Sequence, residues 1–128
     1  MAGLNKIEDY LMSLGVSYEE PQAGTWLVED AGKGLPAIVI SYAEPVVILS
    51  AKAMRVPSKE REAFFYELLK LNYSGLLHGA YAIDGEDVVL MDTLEYAAMD
   101  KGEFEASLDA IGFALSEHYP LLSRYMDK

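Results

Sequence analysis

The sequence predicts a single α+β domain over residues 1–128, with its elements in the order αβββαββα, and three observations support this. The length of 128 residues suits one compact core and is short for two. Apolar residues recur at helical spacing in some stretches, whereas shorter stretches are rich in β-branched and aromatic residues. No segment between these stretches is long enough to act as a linker. We therefore expect a twisted antiparallel sheet packed with helices.

The first helix is predicted over residues 3–14, where Gly15 is placed to end it. Its apolar residues recur every three or four positions: Leu4, Ile7, Leu11 and Leu14. Residues 16–20 are predicted as a short extended piece and residues 21–24 as a turn.

A meander of three antiparallel strands is predicted next, over residues 25–30, 35–42 and 45–53. Tight turns separate these strands, with Gly32-Lys33-Gly34 in the first turn and Ala43-Glu44 in the second. The last two strands contain stretches that are apolar on both faces. Such stretches are typical of central strands that helices cover.

A second helix is predicted over residues 58–72, with Ser58 as its N-cap. A hairpin follows, with strands at residues 79–83 and 88–93 and with Asp84-Gly85 supplying the turn. The third helix begins near Asp100, whose spacing to Glu103 is that of a capping box. It extends to about residue 119, because Pro120 is expected to break or kink it.

The charge and the cysteine content exclude several functions. Ten Lys and Arg residues oppose 21 Asp and Glu residues, so the net charge of −11 disfavours binding to nucleic acid or to anionic lipid. The absence of cysteine excludes thiolate metal sites, iron–sulfur clusters and cysteine nucleophiles. The N-terminus lacks the apolar core of a signal peptide, and no apolar run has the length of a membrane span. We expect a cytoplasmic protein that binds neither nucleic acid nor membranes.

No catalytic, cofactor-binding or metal-binding residue is predicted. His78 and His118 lie forty residues apart without a metal-ligand spacing, and both are expected to have structural or solvent roles. The acids are scattered, and Ser74 lacks the flanking glycines of a nucleophile elbow. We expect no enzymatic activity and no cofactor; an enzyme with a dispersed acidic site is the weakest alternative.

Charge is segregated along the chain. Residues 52–61 hold Lys52, Arg55, Lys59 and Arg61 against one acid, while residues 84–109 hold nine acids against Lys101. One interpretation is a pair of solvated faces. The other is electrostatic complementarity between two copies of the chain or with a basic partner segment.

The second and third helices carry more apolar surface than a core-facing stripe requires. Phe113 projects from the third helix on the side opposite its inward stripe of Phe104, Leu108, Ile111, Leu115 and Tyr119. On the second helix the apolar residues spread beyond the usual arc of about 100°. Together they predict a partner or dimer surface made of Phe64, Phe65, Tyr66, Leu68, Leu69 and Phe113. A deep core packed from two sides is the alternative.

The second half of the chain resembles the type III secretion chaperone-like superfamily, which includes Tir-type chaperones and YbjN-type proteins. The resemblance covers about residues 58–119 and rests on these segments: Leu68-Leu69-Lys70-Leu71-Asn72, Gly79-Ala80-Tyr81-Ala82-Ile83-Asp84-Gly85, Val88-Val89-Leu90 and Thr93-Leu94. In that family a helix ending in Leu-Leu-x-x-Asn leads into a hairpin with an Asp-Gly tip and then into an acidic, capped helix.

The resemblance implies a bacterial α+β protein without enzymatic activity, usually a homodimer. It also implies a protein client or regulatory partner, because secretion chaperones bind extended segments along apolar grooves and exposed strand edges. The alternative is a small-molecule-binding or signalling domain of the same fold, which a deep pocket with convergent polar groups would favour.

Overall fold

The computed structural model describes residues 2–128 and confirms the α+β class. Three helices and six strands follow one another along the chain, with short 3-10 turns at residues 31–33 and 123–125. The elements are α1 (Ala2–Leu14), β1 (Tyr18–Gln22), β2 (Thr25–Asp30), β3 (Leu35–Ala43), β4 (Val46–Arg55), α2 (Arg61–Ser74), β5 (Ala80–Asp84), β6 (Asp87–Glu95) and α3 (Lys101–Leu122). The side chain of Leu4 lies outside the described part of α1.

All six strands form one antiparallel sheet in the order β1-β2-β3-β4-β6-β5. Neighbours in the sequence are neighbours in the sheet except at one position, where β4, the fourth strand of the sheet, pairs with β6, the fifth. That pairing runs from Val46 opposite Glu95 to Arg55 opposite Asp87. Because α2 and β5 separate β4 from β6 in the sequence, this pairing joins the two halves of the chain.

The predicted order contains one strand too few. Residues 18–22 form β1, which has the length of the predicted extended piece but begins two residues later and pairs with β2 at the edge of the sheet. Pro21, predicted to lie in the turn, belongs to this strand; an edge strand tolerates a proline because one row of its backbone groups has no partner strand. The turn therefore shrinks from the predicted residues 21–24 to Ala23-Gly24.

The start of α2 also differs from the prediction. The helix begins at Arg61 rather than Ser58, and Glu60 occupies its N-cap position with a φ of 55°. Ser58 does not cap the helix, which begins three residues later; its backbone N–H and its hydroxyl instead both donate to the carboxylate of Asp127, at 3.0 Å each. These two hydrogen bonds connect the segment before α2 to the C-terminal segment.

The capping box that begins α3 is confirmed. The N–H of Glu103 donates to Asp100 Oδ1 at 2.8 Å, and the N–H of Asp100 donates to Glu103 Oε1 at 3.0 Å. The predicted end of the helix is wrong, because α3 continues through Pro120 to Leu122. A proline removes one hydrogen bond, here to the carbonyl of Ser116, and Ser116 lies on the exposed side of the helix.

The core lies between the helices and one face of the sheet. Alternate residues of β3 and β4 are buried, including Ile38, Ile40, Val47 and Leu49, whereas Val39 on the opposite face is exposed. The apolar stretches of these strands suggested that both faces are covered. In the structure only one face is covered. From the helices, the core receives Ile7, Leu11, Phe64, Leu68, Phe104, Leu108 and Ile111.

Candidate functional site

An open groove runs between α3 and the β2–β3 hairpin, and we call it the α3 groove. Its main hollow has a volume of about 530 Å³. One wall comes from the hairpin and the other from the helix; the lining side chains are Glu29, Ala31, Leu35, Pro36, Leu115, Ser116 and Tyr119. Most of this lining is apolar, so the groove offers apolar surface to a ligand or partner.

The floor of the α3 groove is a close contact between two glycines. A Cβ atom on Gly112 would lie 2.5 Å from the carbonyl oxygen of Gly34, so only glycine lets α3 approach the hairpin this closely. A second hollow of about 450 Å³ shares these glycines and is also lined by Lys33, Asp109 and Phe113. The groove therefore extends along the helix on both sides of the contact.

Two exposed aromatic residues border the α3 groove. Phe113 keeps 66% of its surface exposed, which agrees with its predicted position opposite the inward stripe of the helix. Tyr119 is also exposed, although the sequence placed it in the inward stripe. Tyr119 lies in the last turns of α3 and lines the groove.

The apolar residues of α2 divide between two faces. Phe64 and Leu68 are buried in the core, so they do not belong to an exposed surface, and Phe65 is half-buried. Tyr66 and Leu69 are exposed. With Tyr73 they form an exposed row at three- and four-residue spacing, which we call the α2 stripe.

The side chain of Asn72 closes part of the β5 edge. Its Oδ1 accepts a hydrogen bond from the N–H of Tyr81 at 2.7 Å, and its Nδ2 donates to the carbonyl of Tyr81 at 3.2 Å. These are the two bonds that a seventh strand would make at this position. The Leu-Leu-x-x-Asn sequence at the end of α2 thus places a carboxamide where an additional strand would otherwise pair.

The opposite edge, β1, resists strand addition by other means. Pro21 has no backbone N–H, and the register of β1 against β2 is irregular between Glu19 and Gln22. Proline and irregular pairing both make an edge a poor template for another strand. The carboxylates of Glu19 and Glu20 are exposed along the same strand. Neither edge of the sheet is therefore a regular, unprotected template.

A buried polar pair connects β5 with the end of α3. The hydroxyl of Tyr81 and Nδ1 of His118 lie 2.7 Å apart, and both side chains are buried. Burial raises the pKa of Tyr81 to about 12. His118 lies within α3, four residues before the helix ends at Leu122, so this contact joins the last turns of the helix to β5. His78 is exposed.

The segregated charges meet partly within one chain. Lys52 Nζ lies 3.3 Å from Asp87 Oδ1, and Arg55 Nη2 lies 2.8 Å from Glu86 Oε2. All four side chains are largely exposed, so each pair contributes little to stability. Part of the charge complementarity expected between partners is therefore satisfied between β4 and the β5–β6 hairpin.

No metal-binding cluster occurs in the described part of the chain, because no three His, Asp or Glu side chains converge there. Among the same residues, no helix has both the length and the apolar character that crossing a membrane requires.

The family of the chain follows from a comparison with family models. The CesT_Tir_1 model, which represents type III secretion chaperones, matches residues 2–128. The chain belongs to this family. The resemblance read from residues 58–119 thus extends over nearly the whole sequence. Among curated proteins, no sequence matches this chain.

Solved structures with the same fold include chaperones in complex with other proteins. YbjN of E. coli matches with a TM-score of 0.68 and 15% identity over 91% of each chain. The ExoU–SpcU heterodimer from the type III secretion system of Pseudomonas aeruginosa contains a match with a TM-score of 0.69 and 20% identity, covering 94% of this chain and 98% of the other.

The Yersinia pestis type III secretion chaperone SycH, solved in complex with a fragment of YscM2, gives a third match. Its TM-score is 0.66 with 15% identity, over 90% of this chain and 98% of the other. At these identities the likeness establishes the fold.

Proposed function

We propose that this protein is a non-catalytic chaperone or adaptor of the cytoplasm that holds an extended segment of a client protein in the α3 groove. The observation that carries the proposal is the open apolar groove bordered by exposed Phe113 and Tyr119. Membership of a chaperone family supports it. So do the structural neighbours, which include the HopA1–SchA chaperone–effector complex. A client segment would bury apolar surface at about 25 cal/mol per Å².

The two edges of the sheet support the groove as the site rather than strand addition. At β5 the backbone of Tyr81 already bonds to Asn72, and at β1 the proline and the irregular register interrupt the edge. Strand addition needs a run of free backbone donors and acceptors. The groove needs only apolar contact, which remains available.

The proposal is tested by selecting peptides from a displayed random library on the immobilised protein and titrating them against two variants. Phe113→Ser should weaken binding about tenfold or more, because Phe113 supplies exposed aromatic surface beside the groove. Met12→Ser is the matched control, since Met12 is 67% exposed but does not line the groove. Selected peptides that bind both variants as tightly as the unchanged protein would contradict the assignment of the site.

We further propose a homodimer formed through the α2 stripe. Tyr66, Leu69 and Tyr73 lie on one exposed helix face, and a second copy would cover it symmetrically. Leu69→Lys should convert a dimer into a folded monomer, measured by light scattering and circular dichroism at micromolar concentration. An unchanged protein that is already monomeric there would refute this part of the proposal.

A small-molecule-binding or signalling domain is the second candidate. The volume of about 530 Å³ lies within the range of small-ligand sites. The groove is open along the helix, however, and its wall carries few polar groups that could orient a small ligand. Saturable binding of a small metabolite that is lost in Phe113→Ser and excludes the selected peptides would favour this candidate.

A further inference from the structure

The charges around the α3 groove are mostly negative. Glu29 lies in the hairpin wall. Glu105 and Asp109 precede Gly112 and Ser116 on the same face of α3, because these four positions follow helical spacing. Among the described residues that line the two hollows, Lys33 is the only cation. We call Glu29, Glu105 and Asp109 the rim of the groove. An apolar groove with an acidic rim favours a partner with the opposite charge.

These carboxylates are available to a partner. Glu29, Glu105 and Asp109 are exposed. In the described part of the chain, none of them forms an ion pair or accepts a side-chain hydrogen bond. The rim therefore differs from Asp87 and Glu86 on the β5–β6 hairpin, which already pair with Lys52 and Arg55.

We propose that the α3 groove selects a basic, extended segment in which apolar residues alternate with lysine or arginine. This inference rests on the proposed function and specifies the chemistry of the client. Successive side chains of an extended segment point to opposite sides. One row would therefore enter the groove beside Phe113 and Tyr119, while the other row would reach the carboxylates of the rim.

The dimensions agree with a short segment. From Asp109 to Tyr119 the helix rises about 15 Å, which is the span of about five extended residues. The net charge of −11 repels acidic segments from the whole molecule, whereas the rim attracts basic ones to this position. Selection against acidic segments and attraction of basic ones would thus act together.

The test uses three short synthetic peptides with the same alternating apolar residues and with lysine, serine or glutamate at the remaining positions. Binding is followed by the backbone amide shifts of ¹⁵N-labelled protein, which report whether Gly34, Gly112 and Ser116 respond. The lysine peptide should shift these amides and bind about tenfold more tightly than the serine peptide. The glutamate peptide should bind most weakly.

A matched pair of double variants separates the rim from the general acidity of the chain. Glu105→Gln with Asp109→Asn should weaken the lysine peptide about three- to tenfold. Glu20→Gln with Asp84→Asn removes the same charge from exposed positions outside the groove, and it should weaken binding less than about twofold. The affinity difference between the two variants should shrink at high salt.

The outcomes distinguish this inference from the proposed function. A serine peptide that shifts the groove amides and binds as tightly as the lysine peptide would overturn the inference and leave the proposed function standing. Equal weakening by the two double variants would also overturn it, because general attraction would then explain the binding. If no peptide shifts the groove amides, both proposals fail.

Discussion

The helices α2 and α3 both expose aromatic side chains, but their neighbours differ. α3 has 22 residues, crosses β3, β4 and β6, and buries Phe104, Leu108 and Ile111. α2 has 14 residues, lies against β5, and buries only Phe64 and Leu68. Phe113 on α3 therefore lies beside a groove that the sheet completes. The hollow beside Tyr66 on α2, by contrast, is lined by residues 60–63 and 66 of one segment, so the sheet supplies no second wall there.

The comparison shows that exposed apolar residues differ in what can cover them. A groove between a helix and a hairpin fits a narrow segment, which touches both walls. A helix face without a wall fits another broad face, such as the same face of a second copy. We therefore assign the client to the α3 groove and the dimer to the α2 stripe, a division that depends on how the two helices pack.

The largest effect on stability is expected from substitutions on the two faces of α2, one buried and one exposed. Phe64→Ala should lower the free energy of unfolding by about 3–5 kcal/mol, because Phe64 is fully buried. Leu69→Ala should change it by less than about 0.5 kcal/mol in the monomer, because Leu69 is exposed. Urea denaturation at low protein concentration measures both values. Similar losses in the two variants would show that α2 has no outward face.

A smaller loss is expected where α3 approaches the hairpin. Gly112→Ala should destabilise the protein by about 1–3 kcal/mol, because its Cβ would lie 2.5 Å from the carbonyl oxygen of Gly34. Gly102→Ala is the matched control on the same helix. There the nearest atom to a new Cβ, outside the adjacent residues, is Asp100 Oδ1 at 3.4 Å, so alanine should be neutral or stabilising. Equal values for both variants would mean that α3 does not depend on the glycine contact.

The hydrogen bonds between α2 and β5 should contribute about 1–2 kcal/mol to the free energy of unfolding. Asn72→Ala removes both partners of the Tyr81 backbone, so the loss reflects two hydrogen bonds in a partly buried site. Hydrogen exchange at the Tyr81 amide should accelerate. Ser74→Ala removes only an exposed hydroxyl bond to Lys70 and should leave that exchange unchanged. Unaltered exchange in Asn72→Ala would show that the carboxamide does not close the β5 edge.

The smallest effect concerns the junction of α3 with β5 and appears only in alkali. The pKa of Tyr81 is raised from 10.0 to about 12, so the unfolded chain releases this proton at lower pH than the folded chain does. The resulting stability is present below pH 10 and is lost as the pH rises towards 12.

Tyr81→Phe should remove the part of the loss of stability in alkali that Tyr81 causes. Tyr66→Phe, at an exposed position, should retain that loss. Urea denaturation at two pH values, one below and one above the ordinary pKa of tyrosine, measures the difference. The same alkaline slope in both variants would show that burial of Tyr81 is not its cause.

Local signals in the sequence predicted most helices and strands. The Asp100–Glu103 box defined the start of α3, and the second hairpin was expected from its glycine, which adopts a φ of 63° at Gly85. Ser58 misled the prediction, because a hydroxyl that can cap a helix can also bind a distant carboxylate such as that of Asp127. Residues 18–22 lacked the composition of a strand, and only their pairing with β2 makes them one.

The candidate site was predictable only in part. Helical spacing placed Phe113 outward, and the structure finds it exposed; its contact with a partner stays a prediction. The same reasoning could not separate Phe64 from Tyr66, because apolar residues occur on both faces of α2 and its packing against β5 and Tyr125 decides which of them is buried. The groove itself depends on Gly34 and Gly112, which lie far apart in the sequence.

The pairing of β4 with β6 has a consequence for how the chain folds. The strands from β1 to β4 can form by successive local turns, and so can the β5–β6 hairpin, but the contact between the two groups must close a loop that contains α2. Such closure costs chain entropy before any pairing compensates for it. We therefore expect docking of the hairpin onto β4 to limit the folding rate. Substitutions of buried residues in β4 or β6, such as Leu49→Ala or Leu90→Ala, should then slow refolding. Changes at Phe113 should leave the refolding rate unaltered.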